Sequence, residues 1–271
     1  MSSFVNSITI ITSSFNDDRS LEQTAKSIAN QTIIPSWIII DNDSTDSTRK
    51  VVSDYSHIVS IFISESDSGI YDAWNKALQY VQSQWILFLG AGDTLVNSRV
   101  IEQANSLLDT NYPICYGNVL NFDRHGFFMF KSSKVDSMKW DQLRPFLPHH
   151  QGCFHNSDYF KYPYDFKFDT SYRIGGDTKL LIQFLNCSSF FYIDLDICEF
   201  IMNGLSSNPS SLQSIVSEHR RIIKELSYYH PPNPIKRWRE LALHLKLFLY
   251  RFLGDRLYRK CLILLGKKIS Q

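Results

Sequence analysis

Four nearly uninterrupted apolar runs constrain this chain more than anything else in it: Ile8-Thr-Ile-Ile-Thr12, Trp37-Ile-Ile-Ile40, Ile58 to Ile63, and Trp85-Ile-Leu-Phe-Leu89. A strand with one face in water alternates apolar and polar residues. Strands that are apolar along almost their whole length read as buried on both faces, as in a parallel sheet with helices on each side. The intervening segments supply such helices. Leu21, Ala25 and Ile28 share one helical stripe; Ala73, Trp74, Ala77, Leu78 and Val81 share a second; Val100, Ile101, Ala104, Leu107 and Leu108 form a third. Strand, helix, strand at this spacing calls for right-handed crossovers. The expected class is therefore α/β with a mostly parallel central sheet flanked by helices, and ligands belong at the carboxyl ends of its strands.

Polar residues gather at those ends. Ser13, Ser14 and Asn16 follow the first run; Asp41, Asn42, Asp43, Ser44 and Asp46 the second; Glu65, Asp67, Ser68 and Gly69 the third; and Asp93, behind Gly90 and Gly92, the fourth. Four successive loops discharging polar groups at one edge read as a nucleotide cleft. Each also has a plainer reading as a helix cap: Asp43 or Ser44 for a helix near Asp46, Asp67 for one from Ile70, Asp93 or Thr94 for the next. Four caps and nothing more is the weaker account. The two glycines are expected to deliver the Asp93 carboxylate to an exposed loop, where it can hold a metal against the diphosphate of an activated donor.

Beyond Tyr116-Gly-Asn118 the pattern is mixed, with a hairpin around Asp123-Arg-His-Gly126, a strand from His150 to Phe154 and a helix from Asp177 to Leu185. Pro209 and Pro231-Pro-Asn-Pro234 punctuate the entry to helical segments at 211–229 and 235–266. Hydrophobic residues make up 44% of the 271, ample for a packed core. Five cysteines with no CxxC spacing argue against a disulfide framework or structural zinc and for buried free thiols. The start lacks a basic segment followed by an apolar core, so secretion is not expected. Formal charge is +1, yet residues 236–268 carry ten Lys and Arg against Glu240 and Asp255, a local +8, leaving −7 for the remainder. The division expected is 1–208, a catalytic domain with donor half 1–118 and acceptor half 119–208, followed by a basic amphipathic helical extension over 209–271.

The order of the motifs resembles family 2 glycosyltransferases of the GT-A fold, in the branch that builds bacterial surface polysaccharides such as colanic acid, O-antigen and capsule. The residues that carry the resemblance are Ile8 to Thr12 with Asn16, then Ile38-Ile-Ile-Asp41-Asn-Asp-Ser44-Thr-Asp46 and Ser64-Glu-Ser-Asp67-Ser-Gly69-Ile-Tyr-Asp72-Ala-Trp-Asn75-Lys-Ala. Phe88-Leu-Gly-Ala-Gly-Asp93, Pro148-His-His150-Gln151 and Tyr172-Arg-Ile-Gly-Gly-Asp177 complete the set, across about 7–205. The resemblance implies an inverting transferase that moves one sugar from a nucleotide donor, UDP-linked by expectation, to a hydroxyl of a growing, lipid-linked surface glycan. It implies that Ser13, Ser14, Asn16, Asp41, Asp43, Ser44, Asp67, Gly69, Asp72, Gly92 and Asp93 line the donor site, with Asp41 accepting from base or ribose. His150, Gln151 and Gly176 would meet acceptor or phosphate. Asp93, with His150 as a second candidate, would hold Mn2+ or Mg2+, although Gly90 and Gly92 stand where many relatives carry further carboxylates. The plainer reading of His149, His150 and His155 is that they are partly buried polar residues. Asp177, at a helix N-terminus that favours its ionised form, is the implied catalytic base, with an N-cap as the plainer reading.

The basic stretch 235–268 interleaves leucine and aromatic residues with cations too often to cross a bilayer, and can lie on an anionic leaflet. A polyprenyl-diphosphate-linked acceptor at the inner face of the plasma membrane would give it a purpose, placing the chain in the cytoplasm as a peripheral protein. Packing on the catalytic domain or on a second copy of the chain, as a homo-oligomer, is the alternative. No nucleic-acid partner is expected. Among other classes, a sugar-phosphate nucleotidyltransferase would need a glycine- and basic-rich loop where Ser13-Ser-Phe-Asn-Asp-Asp18 stands, and a dehydrogenase a GxGxxG. A non-catalytic sugar-nucleotide-binding or assembly subunit gains some weight from Gly90 and Gly92.

Overall fold

The computed structural model describes residues 7–135, 139–141, 144–202, 204 and 211–226. They fall into two compact units: Met1–Asp136 with Leu147–Ile201, and Ser137–Phe146 with Met202–Gln271. The basic stretch 235–268 lies outside the described residues.

The first unit opens with the expected alternation: β1 (Ile8–Ser14), α1 (Asp18–Ala29), β2 (Ser36–Asp41), α2 (Thr48–Asp54), β3 (Val59–Ser64), α3 (Ile70–Leu78) and β4 (Trp85–Phe88). Local chemistry explains these elements. β-branched isoleucines dominate β1 and β2. Asp17 caps α1 by accepting from the Ser20 N–H, and α1 turns Leu21, Thr24, Ala25 and Ile28 to the core. α3 follows Gly69, whose φ of 131° an L side chain rarely adopts. β5 (Thr94–Leu95), α4 (Val100–Leu107), β6 (Ile114–Phe122), β7 (Phe128–Ser132), β10 (Cys153–Asn156), α5 (Gly176–Cys187) and β11 (Phe191–Ile201) complete the unit. In the second unit β8 (Lys139–Asp141) pairs antiparallel with β9 (Arg144–Phe146), and α6 spans Leu212–Glu225.

The main sheet runs β3-β2-β1-β4-β10-β6-β11-β5, with β7 on β6. Its first four strands are mutually parallel. β10 then enters antiparallel between β4 and β6, with Phe154 opposite Leu87 and Asn156 opposite Trp85. This reversal matters for the site: β10 starts at the edge where the parallel strands end, so residues 148–152 just before it sit beside the β4 terminus.

Four expectations are corrected. The run Ile58 to Ile63 is not buried on both faces, because β3 ends the strand order and its residues are mostly half-buried. Val81 lies beyond α3, which stops at Leu78. The strand expected from His150 begins only at Cys153, after a turn of 3-10 helix over His150–Gly152. Cys187 is an exposed free thiol, whereas Cys115, Cys153 and Cys198 are buried ones. β11, eleven residues long and parallel to β6, went unread.

Candidate active site

The loops after β1, β2 and β3 are stitched into one surface by side chains that the sequence placed at strand ends. Asn16, in the left-handed region at φ 48°, donates its N–H to Ser44 Oγ at 2.8 Å, and its side-chain oxygen accepts from the Thr45 N–H at 2.8 Å. The Asp18 N–H reaches Asp46 Oδ2 at 2.9 Å, and the Asp67 N–H reaches Asn42 Oδ1 at 2.8 Å. Asp41 is fully buried. Its carboxylate accepts from the Ser44 N–H at 3.0 Å, the Ser44 hydroxyl at 2.5 Å and the Ser64 hydroxyl at 2.6 Å. Three charge-assisted bonds of this kind shape the loop itself. Asp43, at φ 49°, is exposed and pairs loosely with Arg49 at 3.5 Å. Asp67 and Asp72 work inside their own turn: Asp67 Oδ1 accepts from the Gly69 N–H, and Asp72 Oδ2 accepts from the Ser68 N–H, each at 2.9 Å. Partial burial raises the Asp67 carboxyl above its ordinary range. Lys76 closes the group, 2.9 Å from Glu65 and 3.9 Å from Asp72. Ser13 is half-buried, and the buried Ser14 hydroxyl has no hydrogen-bond partner among the described residues.

Asp93 is the main departure from expectation. It is only 5% exposed, not on an exposed loop, and it folds back on its own turn, where Oδ2 accepts from the Gly90 N–H at 3.0 Å. The backbone of Ile201 also bonds to it, yet burial dominates and pushes its carboxyl up to about 8. A hard dication needs anionic oxygens with free lone pairs facing the ligand; a carboxyl kept protonated and turned inward does not offer them. His150 fits no better. It is 5% exposed, stacked between Trp74 (centroids 5.3 Å apart) and Phe88 (5.5 Å), and neither ring nitrogen finds a partner among the described residues. Burial holds the imidazole neutral, and the charged groups acting on it are His155 and His149, not carboxylates. Gln151, half-buried, accepts from the Cys198 thiol through its carbonyl at 3.3 Å.

Asp177 opens α5, a helix that the sequence placed to within two residues. It is half-buried, and Oδ1 accepts from the Thr178 N–H at 2.6 Å and from the Tyr71 hydroxyl at 3.4 Å. Enclosure outweighs those bonds and raises the carboxyl to about 6. Tyr71 was not expected as a site residue. Its one hydroxyl proton is shared between the Asp177 carboxylate and the Ile174 carbonyl, the closer acceptor; its ring stacks on Phe168 at 5.6 Å, and it leaves Gly176 no room: a Cβ there would stand 2.7 Å from the tyrosine ring. Asn75, one turn along α3, clamps Phe168 on both sides, donating to its carbonyl at 2.8 Å and accepting from its N–H at 2.9 Å. Two residues four apart on one helix thus hold the segment that delivers Asp177. The signal was present in the Gly69-Ile-Tyr71-Asp72-Ala-Trp-Asn75 motif. Tyr71→Phe removes a hydrogen bond to the ionised form of Asp177, so the acid limb of the pH–rate profile is expected to move to higher pH. A limb that stays in place would show that the tyrosine does not act on the carboxylate.

Burial raises the Cys198 and Cys153 thiols, and the neighbouring groups that raise them further are Asp93, Cys153 and Glu199 for Cys198, and Asp177 and Cys115 for Cys153.

The model of glycosyl transferase family 2 matches residues 9–182. An uncharacterized glycosyltransferase of Mycobacterium tuberculosis is 26% identical over 228 residues, covering 79% of this chain and 84% of that protein. The putative teichuronic acid biosynthesis glycosyltransferase TuaG of Bacillus subtilis is 31% identical over 107 residues, 38% of this chain and 42% of its own length. Among solved structures, S. aureus TarS 1–349 in complex with UDP-GlcNAc superposes with TM-score 0.63 at 15% identity, covering 90% of this chain and 73% of that one. The mannosyltransferase PcManGT from Pyrobaculum calidifontis, in complex with GDP-Man and Mn2+, gives 0.57 at 15% identity, covering 98% and 76%. These likenesses establish a shared fold, GT-A.

Proposed function

The chain belongs to glycosyl transferase family 2, and from that premise we propose that it is an inverting transferase carrying one sugar from a nucleoside-diphosphate donor to a hydroxyl of a surface glycan. Asp177 is its base. The acceptor oxygen attacks the anomeric carbon as its proton passes to an Asp177 carboxylate oxygen. The bond from that carbon to the diphosphate breaks with its electron pair leaving on the nucleotide, so the configuration inverts. The observation that carries the reading is a single enclosed carboxyl tuned to about 6, where a base is both ionised and able to take a proton near neutrality.

Several observations support the finer assignments. The stitched loops after β1 to β3 leave Asn16, Asp43 and Gly69 exposed at one edge, where a nucleotide would lie, while the buried Asp41 and Ser44 and the half-buried Asp72 keep that edge in shape. A uridine donor is favoured by the UDP-GlcNAc complex of TarS, and a surface polymer as acceptor by the name of TuaG. The basic stretch 235–268 supports a peripheral location at the inner face of the membrane and a lipid-linked acceptor. Among the described residues no helix is long and apolar enough to cross a membrane.

The test is release of nucleoside diphosphate from a panel of nucleotide sugars by the purified full chain, with and without oligosaccharide acceptors. Turnover on one donor with a product of inverted anomeric configuration is expected. Retained configuration would remove Asp177 from its role as base. Binding with no turnover on any donor would favour the assembly-subunit alternative.

A further inference from the structure

We infer that this transferase binds its nucleoside-diphosphate donor without a divalent cation, an inference that rests on the donor reading above. The turn after β4 has committed its polar groups to itself and to α1. The Gly90 N–H goes to Asp93 Oδ2 and the Asp93 N–H to the Gly90 carbonyl, each at 3.0 Å. The Gly92 N–H is shared between the Thr24 hydroxyl at 3.0 Å and the Ser20 carbonyl at 3.1 Å. Thr24, fully buried, returns its own proton to the Asp93 carbonyl at 2.8 Å. The Asp93 carboxyl closes this turn with only 5% of the residue exposed.

The two glycines are what permit the inward fold. A Cβ at position 90 would lie 3.0 Å from Asp93 Oδ2, in the space the carboxyl now fills, and Gly92 sits at φ 97°. A larger residue at position 90 would compete with the Asp93 side chain, whereas one at 92 would press on Ser20 of α1, so the turn that lacks outward carboxylates is also the turn that draws Asp93 in. Other carboxylates on the donor-side loops are engaged too: Asp41 by Ser44 and Ser64, Asp67 by Gly69, Asp72 by Ser68, and Glu65 by Lys76. Among the described residues no three His, Cys, Asp or Glu side chains gather into a cage for an ion. Magnesium or manganese takes one or two protein carboxylates besides phosphate oxygens and water. The turn after β4 presents none outward, and Asp43, exposed on the loop after β2, lies against the Arg49 guanidinium at 3.5 Å.

Calorimetric titration of the full chain with UDP, GDP, ADP and dTDP tests this, run once in EDTA and once in excess MnCl2. For the nucleotide that binds, dissociation constants in the two arms are expected to agree within about twofold, a difference under about 0.4 kcal/mol. Binding seen in MnCl2 but lost or weakened about tenfold or more in EDTA would overturn metal independence while leaving the donor reading intact. No binding of any of the four in either arm would overturn the donor reading, and the inference with it.

Discussion

Asp177→Asn is expected to lower turnover by about 10²–10⁴-fold, the range a positioned general base contributes, with nucleotide affinity little changed. The substitution is nearly isosteric, and an amide oxygen can still accept from the Thr178 N–H and the Tyr71 hydroxyl, so α5 and the Tyr71 contact persist. What is lost is the capacity to take the acceptor's proton. The pH profile separates this from a packing effect. With the carboxyl at about 6, only the protonated, inactive form accumulates below that pH, so kcat/KM should fall about tenfold per unit on the acid side and level off above it. The Asn variant should lose that limb and keep its low rate across the range. Activity within a few-fold of wild type in a folded Asn variant, or a wild-type limb far from about 6, would remove Asp177 from its assigned role.

The first half of the fold was legible because burial on both faces leaves a direct trace in composition. Trp37-Ile-Ile-Ile40 and Trp85-Ile-Leu-Phe88 can hardly be anything but interior strands, and Leu21, Ala25 and Ile28 can hardly be anything but the inner stripe of α1. β11 was not legible: Phe191-Tyr-Ile-Asp-Leu-Asp-Ile197 alternates, and its register shifts twice against β6, so it carries the pattern of a half-exposed strand and not that of the parallel core. Site positions were legible as places and not as orientations. Asp41 and Asp93 stand at strand ends as expected, but whether a carboxylate looks outward or back into its own turn depends on which N–H groups lie within 3 Å, and only the folded backbone decides that. His150 shows the same limit, since the ring stacks that enclose it come from Trp74 and Phe88, far away in sequence. Asp177 was readable because a glycine pair before an apolar helical stripe marks both a helix start and a close approach, here against Tyr71.

Asp93 yields the second large effect, and its sign depends on the residue that replaces it. The folded state holds this carboxyl at about 8, whereas in the unfolded chain it titrates in the ordinary range near 3.8. Between those values the unfolded state has released a proton that the folded state keeps, so the folded state binds more protons and stability falls as pH rises, by up to about 1.4 kcal/mol per pH unit. Asparagine carries no such proton and can still accept from the Gly90 N–H. Asp93→Asn is therefore expected to be more stable than wild type at neutral pH, the gap widening from about pH 5 to about pH 8. Alanine removes the acceptor as well, leaving the Gly90 N–H and the Ile201 backbone group without it. Asp93→Ala should fall below Asp93→Asn by about 1–3 kcal/mol at every pH, the usual cost of an unpaired buried donor. Denaturant unfolding of the three proteins across that pH range reads all of this at once. A wild-type to Asn difference that does not change with pH would mean that the carboxyl is ionised and solvated in the folded chain, the condition a metal ligand requires and an inward-turned cap does not.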